Sequence, residues 1–200
     1  MIETMMAMQD NHNKVLHEDW RHQGHEYYRA VWVECAELMD HFGWKWWKKQ
    51  NVDIDQVKLE IVDIWHFGLS DLMRSGSVEG CVTALNELQV PEKSAEPSEF
   101  REAVETLAKA SLAYKTFQIP EFCQLLVALP LSVTELFRLY VGKNVLNDFR
   151  QAHGYRTGNY KKMWDGMEDN QHLIELLDEL RCPVDEVPAA LYEALQRRYP

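Results

Sequence analysis

Two pairs of acids share a spacing that brings carboxylates together. Glu34 and Glu37 are three residues apart, and so are Glu60 and Asp63. On a helix that spacing projects both side chains of a pair from one face. Each pair sits in an apolar run, with Val31-Trp32-Val33 before the first and Ile61-Val62 and Ile64-Trp65 around the second. Carboxylates on a core-facing stripe repel one another and resist desolvation, so something positive must compensate. Two such helices packed antiparallel would offer an all-oxygen site, which suits magnesium or manganese far better than zinc. The alternative is a solvated acidic face with lysine partners at i+4. Lys45, Lys48 and Lys49 lie beyond the helix end, so no local partner is obvious. A di-iron centre would want a Glu-x-x-His on each of two helices, and Asp63-x-x-His66 supplies only one imidazole.

A second set is basic. Lys143, Asn147 and Arg150 are spaced i, i+4, i+7 and share one helix face, while Asn144 is turned away by about 100°. A Gly-Tyr loop with Arg156, Lys161 and Lys162 follows. Such a stripe suits a phosphate chain. Alone it reads equally as a solvated face, but a triphosphate needs both cation site and basic stripe. A third set is a pair of amides, Gln9 and Asn13, facing the same way at i, i+4. An amide pairs donor with acceptor, the pattern a uracil edge presents. Two exposed polar residues on an amphipathic helix would look the same. Trp44, Trp46 and Trp47 could stack on a base, although most of that set is expected in the core.

Composition narrows the partners. The chain has 200 residues, 46% of them hydrophobic, with 7 Trp, 8 Tyr and 7 Phe to fill a core. One compact domain over residues 1–200 is the default for that length. A formal net charge of −11 argues against nucleic acid or an anionic membrane as partner. No apolar run approaches the roughly 20 residues of a membrane span, and no signal peptide is visible. Cys35, Cys81, Cys123 and Cys182 are widely spaced, with no C-x-x-C, and each reads as a small buried hydrophobe. That pattern predicts a reducing, cytoplasmic location.

The elements that must position these side chains are helices. Apolar residues recur at helical spacing and glycine and proline are scarce, so the fold class is all-α, a helical bundle. The pattern predicts helices over about Glu3–Leu16, Glu26–Phe42 and Asp53–Arg74, with Gly43 stopping the second and Asp53 capping the third. The segment from Ser75 to Pro97 is the least regular and holds one short helix. Further helices start at Ser98, lie between Pro120 and Pro130, and run from the Ser132–Glu135 capping box to about Ala152. A loop punctuated by Gly154, Gly158 and Gly166 leads to two last helices, from about Glu168 and Val184.

Several blocks together resemble a known family. Glu34-Cys35-Ala36-Glu37-Leu38-Met39-Asp40, leading into Trp44-Lys45-Trp46-Trp47-Lys48, is similar to the first signature of the all-α dimeric dUTPases, within the MazG-like superfamily of nucleotide pyrophosphatases. Glu60-Ile61-Val62-Asp63-Ile64-Trp65-His66-Phe67 resembles their second signature. The stretch Gly142 to Gln151, then Gly154-Tyr155 and Gly166 to Asn170, resembles the C-terminal one, and Met8-Gln9 with Asn13 fits the N-terminal base-recognition strip. The blocks occur in order over most of the chain, with no recognised motif between Gly76 and Leu129.

The resemblance implies a dUTP diphosphatase that hydrolyses dUTP, and dUDP, to dUMP, lowering dUTP and supplying dUMP for thymidylate synthesis. It implies that Glu34, Glu37, Glu60 and Asp63 hold magnesium, with manganese as substitute, and that Glu34 orients and deprotonates the attacking water. Gln9, Asn13 and a tryptophan, Trp47 favoured over Trp46, would hold uracil, and His66 and Phe67 would border the deoxyribose. Asn147 would help hold the nucleoside; Lys143, Arg150, Tyr155, Lys161 and Lys48 would bind phosphates. A homodimer is implied, with closure around nucleotide. The alternatives are a related pyrophosphatase preferring dCTP or a modified nucleotide, and a helical metal-binding protein without activity.

Overall fold

The computed structural model describes residues 1–183 and 186–200. They form two compact units, Met1–Phe137 and Arg138–Pro200, and regular structure is almost entirely helical, as the periodicity predicts. No single described helix is long and apolar enough to cross a membrane.

In the first unit, α1 (Ile2–Leu16) buries one stripe, Ile2, Met5, Gln9 and Asn13. The spacing is helical, but half the stripe is polar, so both amides are buried and the exposed-amide alternative fails. A short 3-10 turn, Trp20–His22, leads to α2 (Tyr27–Phe42). Gly43 ends α2 at φ 90°, a value that side chains rarely adopt. The third helix, α3 (Ile54–Ser75), opens at Asp53, whose carboxylate accepts from the Gln56 N–H at 3.1 Å. It is the unit's centre, packed against α1 and along α2. Trp65 on α3 is wholly buried and stacks on Phe122, centroids 5.2 Å apart, and burying each such ring contributes about 1.5–3 kcal/mol. Gly68 lets the Phe117 ring approach so closely that a Cβ there would stand 2.7 Å from it. Asp71 then ties α3 down, accepting from Thr116 Oγ1 at 2.5 Å and the Phe117 N–H at 2.8 Å while pairing with Arg74 at 2.6 Å.

The remaining helices of this unit are α4 (Val78–Asn86), α5 (Pro97–Tyr114) and α6 (Ile119–Ala128). The expected start of α5 at Ser98 shifts to Pro97, because Glu96 and Glu99 form the capping box and proline's missing N–H costs nothing at N1. α7 (Val133–Ala152) begins as half of the expected box: Ser132 Oγ accepts from the Glu135 N–H at 3.2 Å. Glu135 spends its carboxylate on Lys58 instead, at 2.6 Å.

The second unit takes up α7 from Arg138 and adds a 3-10 turn, Tyr155–Thr157, then a small hairpin absent from the sequence reading. Its strands β1 (Met163–Trp164) and β2 (Met167–Glu168) pair antiparallel, Trp164 opposite Met167. Asp165 and Gly166 both have positive φ, as a two-residue hairpin turn requires, and Asp-Gly was the signal for it. Two helices close the unit, α8 (Asp169–Glu179) and α9 (Val187–Arg198); the expected start at Val184 lies outside the described residues. Gly142 lets α7 meet Leu177 of α8, where a Cβ would stand 2.6 Å from it. Phe149 is the centre of an aromatic core with His153, Trp164, Tyr192 and Tyr199.

Two expectations about burial need correction. Cys35 and Cys81 are buried, but Cys123 and Cys182 are only half-buried. The tryptophans after α2 are not core: Trp46 is 89% exposed, Trp47 56% and Trp44 45%. Trp46 and Trp47 lie in a solvent-facing turn, held by Gln50, whose side-chain amide oxygen Oε1 accepts from the N–H groups of Trp44 and Lys45. The three rings pack edge to face on one another instead of into the interior.

Candidate functional site

α2 and α3 carry the acid pairs to one place. Carboxylate oxygens of Glu34, Glu37 and Glu60 lie within 4.8 Å of one another. Glu37 is exposed, Glu34 and Asp63 half-buried, and Glu60 only 4% exposed. The Glu34 carboxyl is pushed up from 4.5 to about 9, first by burial, then by the charges of Asp63 and Glu60, a hydrogen bond with Glu60 and the charge of Glu37. The other three acids therefore all act on Glu34. His41 Nε2 stands 3.5 Å from Glu60, a neighbour the sequence reading missed. Its i+4 spacing from Glu37 was the available signal. A set of oxygen donors in which burial and mutual repulsion together raise a pKa this far fits a hard divalent cation.

The amides of α1 meet α3 in a buried polar network. His66 Nδ1 is 2.6 Å from Gln9 Oε1, Gln9 Nε2 donates to Asn13 Oδ1 at 3.1 Å, and Asn13 Nδ2 donates to Ser70 Oγ at 2.9 Å. So Gln9, Asn13 and His66 come together as expected, and Ser70 joins them unannounced. Phe67, one residue on from His66, is half-buried. Trp47 and Lys48 lie in the exposed segment after α2, where Trp47 makes ring contacts with Trp44 and Trp46. Within that turn Asp40 accepts from Trp44 Nε1 at 2.7 Å and pairs with Lys45 at 2.8 Å.

The second unit holds the basic set. Arg150 grips Asp169 with two parallel bonds, Nε to Oδ2 at 2.8 Å and a terminal nitrogen to Oδ1 at 2.9 Å. Its other terminal nitrogen donates to Asn147 Oδ1 at 3.0 Å, and Lys143 donates to Asn170 at 3.0 Å. Burial works to raise the Asp169 pKa, but hydrogen bonds from Arg150 and Tyr160 and the charges of Arg150 and Lys143 outweigh it, and the carboxyl lies below its usual value. The same carboxylate, with burial leading, pushes the Tyr160 phenol up. Tyr155 is exposed, its ring 5.9 Å from the Arg150 guanidinium. Lys161 is exposed, and its main-chain N–H donates to the Tyr199 hydroxyl at 3.0 Å. The shared face of Lys143, Asn147 and Arg150 was legible; Asp169, their buried counter-charge, was not singled out.

A family model described as dUTPase matches residues 1–155. The chain belongs to the dUTPase family. None of the curated proteins compared with it matches. It is an enzyme of the dUTP diphosphatase type, a hydrolase of nucleotide metabolism. The family match takes in the carboxylate cluster, the Gln9–Ser70 network and the basic face of α7 as far as Tyr155.

Proposed function

We propose that this chain hydrolyses dUTP to dUMP and pyrophosphate, and dUDP to dUMP and phosphate, with magnesium as cofactor. The observation that carries this reading is the convergence of Glu34, Glu37 and Glu60, with Asp63 acting on Glu34. Magnesium, or manganese in its place, would keep the four carboxylates ionised and neutralise the phosphates and the leaving pyrophosphate. Glu34 then takes the proton from the attacking water, since burial and its acidic neighbours favour a bound proton there. Gln9, Asn13 and Trp47 receive the base, and His66 and Phe67 flank the deoxyribose. Asn147 assists at the nucleoside, while Lys143, Arg150, Tyr155, Lys161 and Lys48 serve the phosphates. Arg150 suits this task because Asp169 already holds its planar fork in one orientation. Residues 1–200 act as one catalytic domain, in a cytoplasmic homodimer.

Pyrophosphate release from dUTP, dCTP, dTTP and UTP, each with magnesium and with chelator, tests the reading. We expect turnover of dUTP well above the other three, lost in chelator and restored by magnesium. Equal turnover of dCTP would remove the uracil assignment, and full activity in chelator would remove the metal.

A further inference from the structure

We propose that Tyr199 is a positioning residue for the phosphate chain: its hydroxyl and ring fix the backbone from which Lys161 reaches out. The inference rests on the reading above that Lys161 and Tyr155 serve the phosphates. Residues 159–162 belong to no helix or strand, so the bonding of regular structure does not set their course. Lys161 is instead held from both sides by side chains. Its main-chain N–H donates to the Tyr199 hydroxyl at 3.0 Å, and its carbonyl accepts from Trp164 Nε1 at 2.5 Å. A main-chain N–H can only donate, so the phenol oxygen of Tyr199 is the acceptor. The Lys161 side chain is exposed, so its charge faces solvent while its main chain stays in place.

Tyr199 serves as a fixed point because it is itself pinned. It caps α9, its own N–H donating to the Leu195 carbonyl at 2.9 Å. Its ring stands edge-on to Phe149, His153 and Trp164, with centroids 5.3, 4.8 and 5.1 Å away. On Tyr160 it lies flat, 5.4 Å away and tilted by only 7°. Tyr160 carries the hold onward: its hydroxyl donates to Asp169 Oδ2 at 2.9 Å, and its ring meets that of Tyr155 at 6.0 Å. One stacked pair of tyrosines therefore stands behind both Lys161 and Tyr155. Tyr199 lies outside the residues 1–155 that the family model matches, so this support comes from a part of the chain the match does not cover. A donor whose backbone is already ordered loses less freedom when it binds, and the saving appears as affinity. That saving belongs only to ligands that carry phosphate.

Tyr199→Phe keeps the stacked ring and removes the acceptor for Lys161, whereas Tyr199→Leu removes both. The experiment measures Kd by titration calorimetry for two ligands in the wild type, these two variants and Lys161→Ala. One ligand is the non-hydrolysable α,β-imido analogue of dUTP with magnesium; the other is deoxyuridine, which has no phosphate. We expect Tyr199→Phe to raise Kd for the triphosphate about three- to tenfold, the range that one neutral hydrogen bond carries. Tyr199→Leu should raise it further. Kd for deoxyuridine should stay at the wild-type value throughout. Unfolded protein lowers the number of sites and not the affinity, so the two effects separate. Wild-type triphosphate affinity in Tyr199→Phe would overturn the inference, whatever Tyr199→Leu does. An equal loss for deoxyuridine would overturn it too, by making Tyr199 a general support of the fold. Lys161→Ala then decides what else falls. Weaker triphosphate binding in that variant leaves the phosphate reading standing, while unchanged binding removes Lys161 from the phosphates and takes the inference with it.

Discussion

Glu34 in the first unit is half-buried and Asp169 in the second fully buried, and burial raises both, yet their carboxyls are driven in opposite directions. Glu34 is surrounded by Asp63, Glu60 and Glu37, which add to burial and push it to about 9. Asp169 is gripped by Arg150 and Tyr160 and feels Lys143, which together overcome burial and pull it down. Burial is common to both, so the difference lies in the sign of the neighbours. The first cluster gathers like charges whose mutual repulsion a bound cation would relieve. The second is internally balanced and spends its charge on orienting an arginine. In the reading proposed above, one region takes up a cation and the other holds a donor still.

The strongest way to break this contrast is at Glu34 itself. Glu34→Gln keeps the shape and removes both the charge and the base. We expect kcat to fall by about 10²–10⁴-fold, while far-ultraviolet circular dichroism shows the same helix content. A variant that keeps its turnover would strip Glu34 of its place as the base.

The second region answers to a different cut. Asp169 has no exposed side-chain surface, so Arg150→Ala leaves a buried charge without its main partner, at a cost of about 3–5 kcal/mol in urea unfolding. Adding Asp169→Asn removes the stranded charge and should recover most of that loss, though not the phosphate contact proposed for Arg150. If Arg150→Ala unfolds at the wild-type urea concentration, the pair is not what holds α8 to this face of α7.

How much of this was legible beforehand differs between the regions for the same physical reason. The acid pairs, the basic face of α7 and the helices that carry them follow from local spacing, and local spacing is what periodicity reports. The Asp53 cap and the Gly43 stop were equally local. His41, Ser70 and Asp169 became visible only through packing. Ser70 is a common mid-helix serine until Asn13, 57 positions away in sequence, donates to it. Asp169 gains its meaning from Arg150, 19 positions earlier across the hairpin. The tryptophans failed in the other direction: aromatic content predicts burial on average, but Trp46 sits in a turn where no element covers it.

The subtlest expected effect is on stability against pH, and there the two acids separate cleanly. Asp169 has a folded pKa below its unfolded value of 3.8, so its contribution is complete above that value and disappears only as pH falls through the folded one. Above about pH 5 it is flat. Glu34 behaves oppositely. Its folded value is about 9 and its unfolded value 4.5, so between them the unfolded chain releases this proton while the folded chain keeps it. Each step upward in that window therefore favours unfolding, and the penalty stops growing only above the folded value. In chelator, the thermal midpoint of the wild type should fall between about pH 5.5 and 8.5 more steeply than that of Glu34→Gln, by a few degrees over the range. Groups remote from the cluster titrate identically in both proteins, so the difference between the two curves belongs to Glu34 and the acids around it. Magnesium should flatten the wild-type curve by making the ionised carboxylate the favoured form. Parallel curves in chelator would mean that the repulsion among Glu34, Glu37, Glu60 and Asp63 is relieved within the protein, and that the first region is as balanced as the second.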